Sequence, residues 1–182
     1  MQFDRRNLLL GGAAAVTAGG LGFPANAKSR GQIDIESQAA LDNLFNTRRD
    51  ARTVSNNSLG VLIIPEVVKA GFILGGAYGE GKLIVGGVTD SYWSYAAASL
   101  GFQAGAQKVS QALFFLTADA LNGFRNSDGW EVGADAEVTV IDKGAEVDVS
   151  KIQDTSPIVA YVFGQQGLLG GVSLQGGKYN RI

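Results

Sequence analysis

Leu59-Gly60-Val61-Leu62-Ile63-Ile64-Pro65 is an apolar run bounded by the turn cluster Ser55-Asn56-Asn57-Ser58 on one side and a proline on the other. A short run of this composition reads as a buried strand, here stopped by Pro65. Glu66 to Ala70 then reads as a single helical turn, since proline is tolerated at a helix start. Beyond it, Gly71 to Tyr78 and Lys82 to Val88 read as two strands joined by a hairpin at Gly79-Glu80-Gly81.

Upstream, Ile33 to Val54 reads as one amphipathic helix, with Ile33, Ala40, Leu41, Leu44 and Phe45 at helical spacing. Arg48, Arg49 and Arg52 crowd its C-terminal end, where the helix dipole favours cations. Downstream, Tyr92–Ala98, Gly101–Lys108 and Gln111–Leu116 are further strand candidates. Thr117 is placed to cap a short helix over Ala118–Phe124. Trp130 to Ile141 alternates most clearly, with Val132, Ala134, Ala136, Val138 and Val140 on one side and Gly133, Asp135, Glu137 and Thr139 on the other. Ile158–Phe163 and Leu168–Gly176 complete the strands, separated by a turn at Gly164-Gln165-Gln166-Gly167. This pattern predicts an α+β domain: a curved antiparallel β-sheet or partial β-barrel flanked by an N-terminal amphipathic helix and short helices.

Residues 1–27 carry an address rather than a fold. Asp4-Arg5-Arg6-Asn7-Leu8-Leu9 resembles a twin-arginine export signal. The uncharged, glycine-diluted run from Leu8 to Phe23 is too short and too weakly apolar for an ordinary membrane span. Pro24-Ala25-Asn26-Ala27 has the small-x-small pattern that signal peptidase cuts. The expectation is cleavage after Ala27, export to the periplasm, and a mature single domain over 28–182, possible peripheral association with the membrane included. Of the chain's 15 basic and 17 acidic residues, Asp4, Arg5 and Arg6 fall in the leader, so the remainder carries a net charge of −3. Such a balance gives no general attraction to nucleic acid.

The chain has no cysteine and no histidine. That removes disulfides, thiolate nucleophiles, the usual general base and the commonest transition-metal ligand together. No Ser-His-Asp arrangement can exist. Gly76-Ala77-Tyr78-Gly79-Glu80-Gly81-Lys82 has the glycine and lysine spacing of a P-loop, but Leu83 replaces the Ser or Thr that holds magnesium, and a strand follows where a helix is needed. Asp135 and Glu137 would share one face of a strand, which alternation explains as its solvated side without a carboxylate-pair mechanism. Asp142, Glu146, Asp148 and Asp154 lack the spacing of a calcium loop. Trp93 and Trp130 suit either a membrane interface or a core, and Phe114 and Phe115 read as core. No cofactor and no metal site is expected, and no catalytic residue.

Several ordered blocks resemble the SYLF (Ysc84-like) domain. They are Gly60 through Gly76, then Gly79-Glu80-Gly81, Trp93-Ser94, and Ser99-Leu100-Gly101-Phe102-Gln103-Ala104-Gly105-Ala106-Gln107. Leu113–Leu116, Ala120 to Phe124, Gly133-Ala134-Asp135-Ala136 and Gly167 through Gly176 follow in similar order and spacing. The resemblance covers roughly residues 35 to 178. It implies a non-enzymatic protein that binds phospholipid headgroups, with phosphoinositides preferred in eukaryotic members and actin bundled by some fungal ones. An exported bacterial protein does not meet its own cell's actin, so actin is not among the expected partners. Lys69 lies inside the matching block. With Lys82, and joined by Arg48, Arg49 and Arg52, it would make a basic patch for an anionic membrane surface. Arg48, Arg49 and Arg52 read more readily as a solvated helix end than as a phosphate-binding patch, and the alternative function is an envelope structural or interaction protein without lipid specificity.

Overall fold

The computed structural model describes residues 27–70, 76–98, 109–141, 148, 151–152, 156–164, 167–168 and 173–182. Residues 1–26 of the expected leader and the expected strand over 101–108 lie outside these residues, as do Asp142, Glu146 and Asp154.

Two helices open the described chain, α1 (Arg30–Thr47) and α2 (Arg49–Asn56). The expected single helix breaks at Arg48, whose backbone is extended (φ −138°, ψ 106°). The Arg48 side chain forks onto the Asp50 carboxylate two residues on, which holds the corner. Ser29 caps α1 by accepting from the Gln32 amide.

The sheet comprises β1 (Gly60–Ala70), β2 (Gly76–Val85), β3 (Val88–Ala98), β4 (Val109–Phe115), β5 (Trp130–Glu131), β6 (Thr139–Ile141), β7 (Ile158–Gly164), β8 (Gly167–Leu168) and β9 (Lys178–Arg181). Their order is β5-β9-β3-β2-β1-β4-β7-β6, with β8 paired to β7. Among the described residues, all pairings between strands are antiparallel except β6 with β7. The result is a curled half-barrel, the curved antiparallel α+β architecture that the sequence predicts.

Pro65 does not end β1. The registers Ile63↔Lys82 and Glu66↔Glu80 on one side, and Ile64↔Gln111 and Val67↔Val109 on the other, spend three residues of β1 against two of each neighbour. That extra residue is a β-bulge, which accommodates a proline with no N–H to give to the ladder. The bulge also resets the phase, so Val67 joins Leu62 and Ile64 on the inner face. The helical turn expected over Glu66–Ala70 is therefore strand.

Nor is Gly79-Glu80-Gly81 a hairpin. β2 runs straight through it, and the turn comes at Gly86-Gly87 (φ 60° and 82°). Gly79 and Gly81 are glycine for a different reason. A Cβ on Gly81 would lie 1.9 Å from the Ile63 carbonyl oxygen, and one on Gly79 2.6 Å from that of Glu66. The sheet curls so tightly here that only a bare backbone fits.

The expected strand Trp130–Ile141 is also interrupted. Gly133 turns at φ 89°, and the Asp135 carboxylate accepts from the Glu131 amide at 2.6 Å. Val132 bridges Ala136, and pairing resumes only at β6. Of the strand expected over Leu168–Gly176, Leu168 belongs to β8, 169–172 lie outside the described residues, and Ser173–Gly177 form a turn with Gly176 at φ 73°.

Two cores result. The inner one joins Leu62, Leu83, Trp93, Tyr95, Leu113, Phe115 and Val162 to α3 (Ala118–Arg125), Trp130 and Leu174. Phe124 is its hub, with ring centroids 4.1 Å from Trp93, 5.0 Å from Phe115 and 5.3 Å from Trp130. Thr117 caps α3 as expected, accepting from the Ala120 amide. The outer core lays Leu41, Leu44, Ala51 and Val54 of the helices on Val61, Ile63, Phe114, Tyr161 and Phe163. Both faces of β4 and β7 are covered, which is why each reads as a nearly continuous apolar run.

Candidate functional site

The expected basic patch divides in this structure. Lys82 lies on the outer face of β2, directed at α1, and is only 8% exposed. Its ammonium donates to Asp34 Oδ1 at 2.9 Å, and the Tyr92 hydroxyl donates to Oδ2 of the same carboxylate at 3.1 Å. The Lys82 hydrogen bond holds the Asp34 carboxyl below its ordinary range, over an opposing effect of desolvation. Arg30 lies over the Tyr92 ring, 5.1 Å from its centroid. Lys82 is thus a fastening of helix to sheet.

Arg48, Arg49 and Arg52 sit about 20 Å away along α1, at 1.5 Å of rise per residue. Because the helix breaks, they lie around the start of α2 rather than at the end of a long helix. Arg48 is engaged with Asp50, which also accepts from the Tyr161 hydroxyl at 3.3 Å. Burial pushes the Asp50 carboxyl up, but Arg48 outweighs it and the net shift is downward. Tyr161 is pushed up by burial first and by Asp50 second.

Arg49 and Arg52 are exposed. One helical turn apart, they share a face. Neither forms an ion pair with a described residue. The Arg52 guanidinium lies over the Phe45 ring, 4.9 Å from its centroid, which limits its motion without neutralising it. Lys69 is in β1 opposite Ala77. Its side chain lies outside the described part of the protein.

A cleft of about 380 Å³ separates α1 from the bulge of β1, with Glu36, Asn43, Pro65, Glu66, Ser110 and Gly164 among its lining. Asn43 donates to the Gly164 carbonyl and Ser110 to that of Pro65, so these polar groups serve the fold. Two carboxylates on the wall make it unsuited to phosphate. The bulge that forms it has no sequence signal beyond Pro65 itself.

The remaining candidates settle quickly. Gly76–Lys82 is strand, as its continuation implies, and not a phosphate loop. Asp135 and Glu137 are exposed but belong to no common strand. Asp148 is exposed. Among the described residues, no group of three or more His, Cys, Asp or Glu side chains could hold a metal ion. No described helix is long and apolar enough to cross a membrane. Trp93 (0% exposed) and Trp130 (3%) are core, together with Phe114 and Phe115.

Comparison with known families adds to this geometry. Residues 96–181 match the family model Ysc84, described as Las17-binding protein actin regulator. This stretch is similar to the Ysc84, or SYLF, domain. The match begins in β3, runs through β4, α3 and β7, and ends at the last residue of β9. It therefore takes in most of the inner core and agrees with the SYLF resemblance of the sequence blocks. No curated protein matches the chain.

Proposed function

We propose that this chain is a non-enzymatic phospholipid-binding protein of the bacterial cell envelope, exported by the twin-arginine route and meeting anionic headgroups through the exposed face of α2. The observation that carries the reading is the pair Arg49 and Arg52: exposed, one turn apart, and without a carboxylate among the described residues. Lipid binding itself is what the SYLF resemblance implies, and the Ysc84-type match supports that resemblance. Each cation at an anionic surface contributes about 1 kcal/mol, so two give weak, salt-sensitive attachment. Arg52, steadied over Phe45, loses less freedom on meeting a phosphate. The absence of histidine from the chain supports a non-enzymatic role. The Las17 and actin of the family description belong to other members, and an exported protein encounters neither.

The test is co-sedimentation of the exported protein with neutral, phosphatidylglycerol and cardiolipin vesicles at low and high salt. Salt-sensitive binding to the anionic vesicles, lost in Arg49→Glu/Arg52→Glu, is the expected result. Binding that survives this double reversal removes α2 from the site. Failure to bind any vesicle overturns the membrane reading and leaves an envelope assembly role, for which sedimentation should depend on protein concentration alone.

A further inference from the structure

Glu80 stands on the outer face of β2 and is 6% exposed. Its Oε1 accepts from the Tyr78 hydroxyl at 2.7 Å, and its Oε2 from the backbone nitrogen of Lys28 at 2.9 Å. In a continuous chain both donors are neutral. Among the described residues no cationic side chain pairs with Glu80, since the Lys28 ammonium turns to Glu36 and that of Lys82 to Asp34. A carboxylate withdrawn from water and met only by neutral donors is poorly compensated.

Lys28 is also the residue that follows the small-x-small motif Ala25-Asn26-Ala27. A sequence signal and a structural contact thus converge on one nitrogen atom. We propose that hydrolysis of the Ala27–Lys28 bond converts this nitrogen into an α-ammonium for which Glu80 is the built-in receptor, so that export processing completes a partly buried ion pair fastening α1 to the sheet. The inference rests on the leader reading given above. In the reaction, water adds across the peptide bond: its oxygen ends in the Ala27 carboxylate, and the released amine takes up a proton.

The geometry needs no rearrangement, because the nitrogen already points at Oε2. What changes is charge and donor number, from one amide N–H to the three N–H bonds of an ammonium. The charged and titratable groups nearby are Glu66 opposite Glu80 on β1, Tyr78 and Lys82 on β2, Tyr92 on β3, and Glu36, Asp34, Arg30 and the Lys28 side chain on or beside α1. Lys82 and Asp34 neutralise one another, as do Lys28 and Glu36, so neither lysine beside Glu80 is left to pair with it.

The experiment uses the full-length chain, produced in an export-competent bacterium and recovered from the periplasm. Intact mass fixes the new N-terminus, and the pH dependence of selective reductive methylation gives the α-amine pKa. The expected result is an N-terminus at Lys28 whose amine titrates at least one unit above the ordinary ~7.7–8.0, so that at pH 8 it reacts several-fold more slowly than a free amine. Glu80→Gln should return it to the ordinary range. So should one alanine inserted between Ala27 and Lys28, which moves the amine while keeping Glu80, and this variant decides alone if Glu80→Gln does not fold. An N-terminus other than Lys28 overturns the leader reading together with the inference. An N-terminus at Lys28 with an ordinary amine overturns the inference alone.

Discussion

Asp34 on α1 and Lys82 on β2 meet at 2.9 Å across the seam between helix and sheet, and the contact converts an expected membrane cation into a structural one. The two ends of the pair are unequally placed, with the Asp34 side chain 40% exposed and that of Lys82 only 10%. Removing the lysine leaves a carboxylate that water can reach, so Lys82→Met should cost about 1 kcal/mol. Removing the carboxylate strands an ammonium away from water, so Asp34→Ala should cost more, about 2–3 kcal/mol. Urea midpoints of the two variants check the order. Equal costs would mean that the pair contributes only packing.

The same pair fixes an acid response. Asp34 has its folded pKa depressed by the Lys82 hydrogen bond, so it contributes stability above the unfolded value of about 3.9 and loses it as pH falls through the folded value. Between pH 5 and pH 3 the wild type should lose stability faster than Lys82→Met. Parallel pH profiles would show that the shift does not couple to folding.

A third expectation concerns glycine. Gly81 has no room for a Cβ, which would meet the Ile63 carbonyl oxygen at 1.9 Å. Gly81→Ala should therefore cost more than 3 kcal/mol or prevent folding, because backbone and not a mobile side chain stands in the way. Gly123, exposed within α3, has nothing within 4 Å of such a Cβ. Gly123→Ala should stabilise by about 0.5–1 kcal/mol. Thermal midpoints moving in opposite directions are the signature.

This contrast shows where the sequence was legible. Fold class, strands β4 and β7, and the Thr117 cap follow from periodicity, apolar runs and capping chemistry, all of them local. Glycine at 79 and 81 carries no local label that separates a turn from a close approach of two strands. The hairpin reading failed for that reason, while the actual turn lay at Gly86-Gly87. Pro65 likewise signals an interruption of the ladder without saying whether the strand ends or bulges. β9 carries no strand signal of its own, because Lys178-Tyr179-Asn180-Arg181 is mostly polar and its strand state depends on β3 and β5 beside it. The candidate site was legible only as a set of cations. Which are free depends on Asp34 and Asp50, one distant in sequence from its partner and the other beside a helix break.

Within the inner core, the Tyr179 hydroxyl donates to Gln111 Oε1 at 2.6 Å, with both residues at 0% exposure. Burial pushes the Tyr179 hydroxyl well above its ordinary pKa, so it remains a donor throughout the accessible range. Tyr179→Phe should cost about 1–3 kcal/mol by orphaning the amide oxygen. Gln111→Leu in the same chain removes that orphan and should restore part of the loss. A double variant no more stable than Tyr179→Phe would show that the amide is held by something other than this bond.

The buried tryptophans separate two ways of meeting a membrane. Trp93 donates through Nε1 to the Ser91 hydroxyl at 2.8 Å and packs on Phe124, while Trp130 packs on Phe124 and Tyr179. Neither ring can reach a headgroup without opening the inner core. Their emission should be blue-shifted in the free protein and unchanged when phosphatidylglycerol vesicles are added. Brominated lipid should not quench it, even where co-sedimentation shows the protein bound. Attachment through the α2 guanidiniums requires that result, since those groups work at the surface while the core stays closed. Quenching would mean that the half-barrel opens on the membrane and inserts its interior, and the role of Arg49 and Arg52 would shrink to guiding the approach.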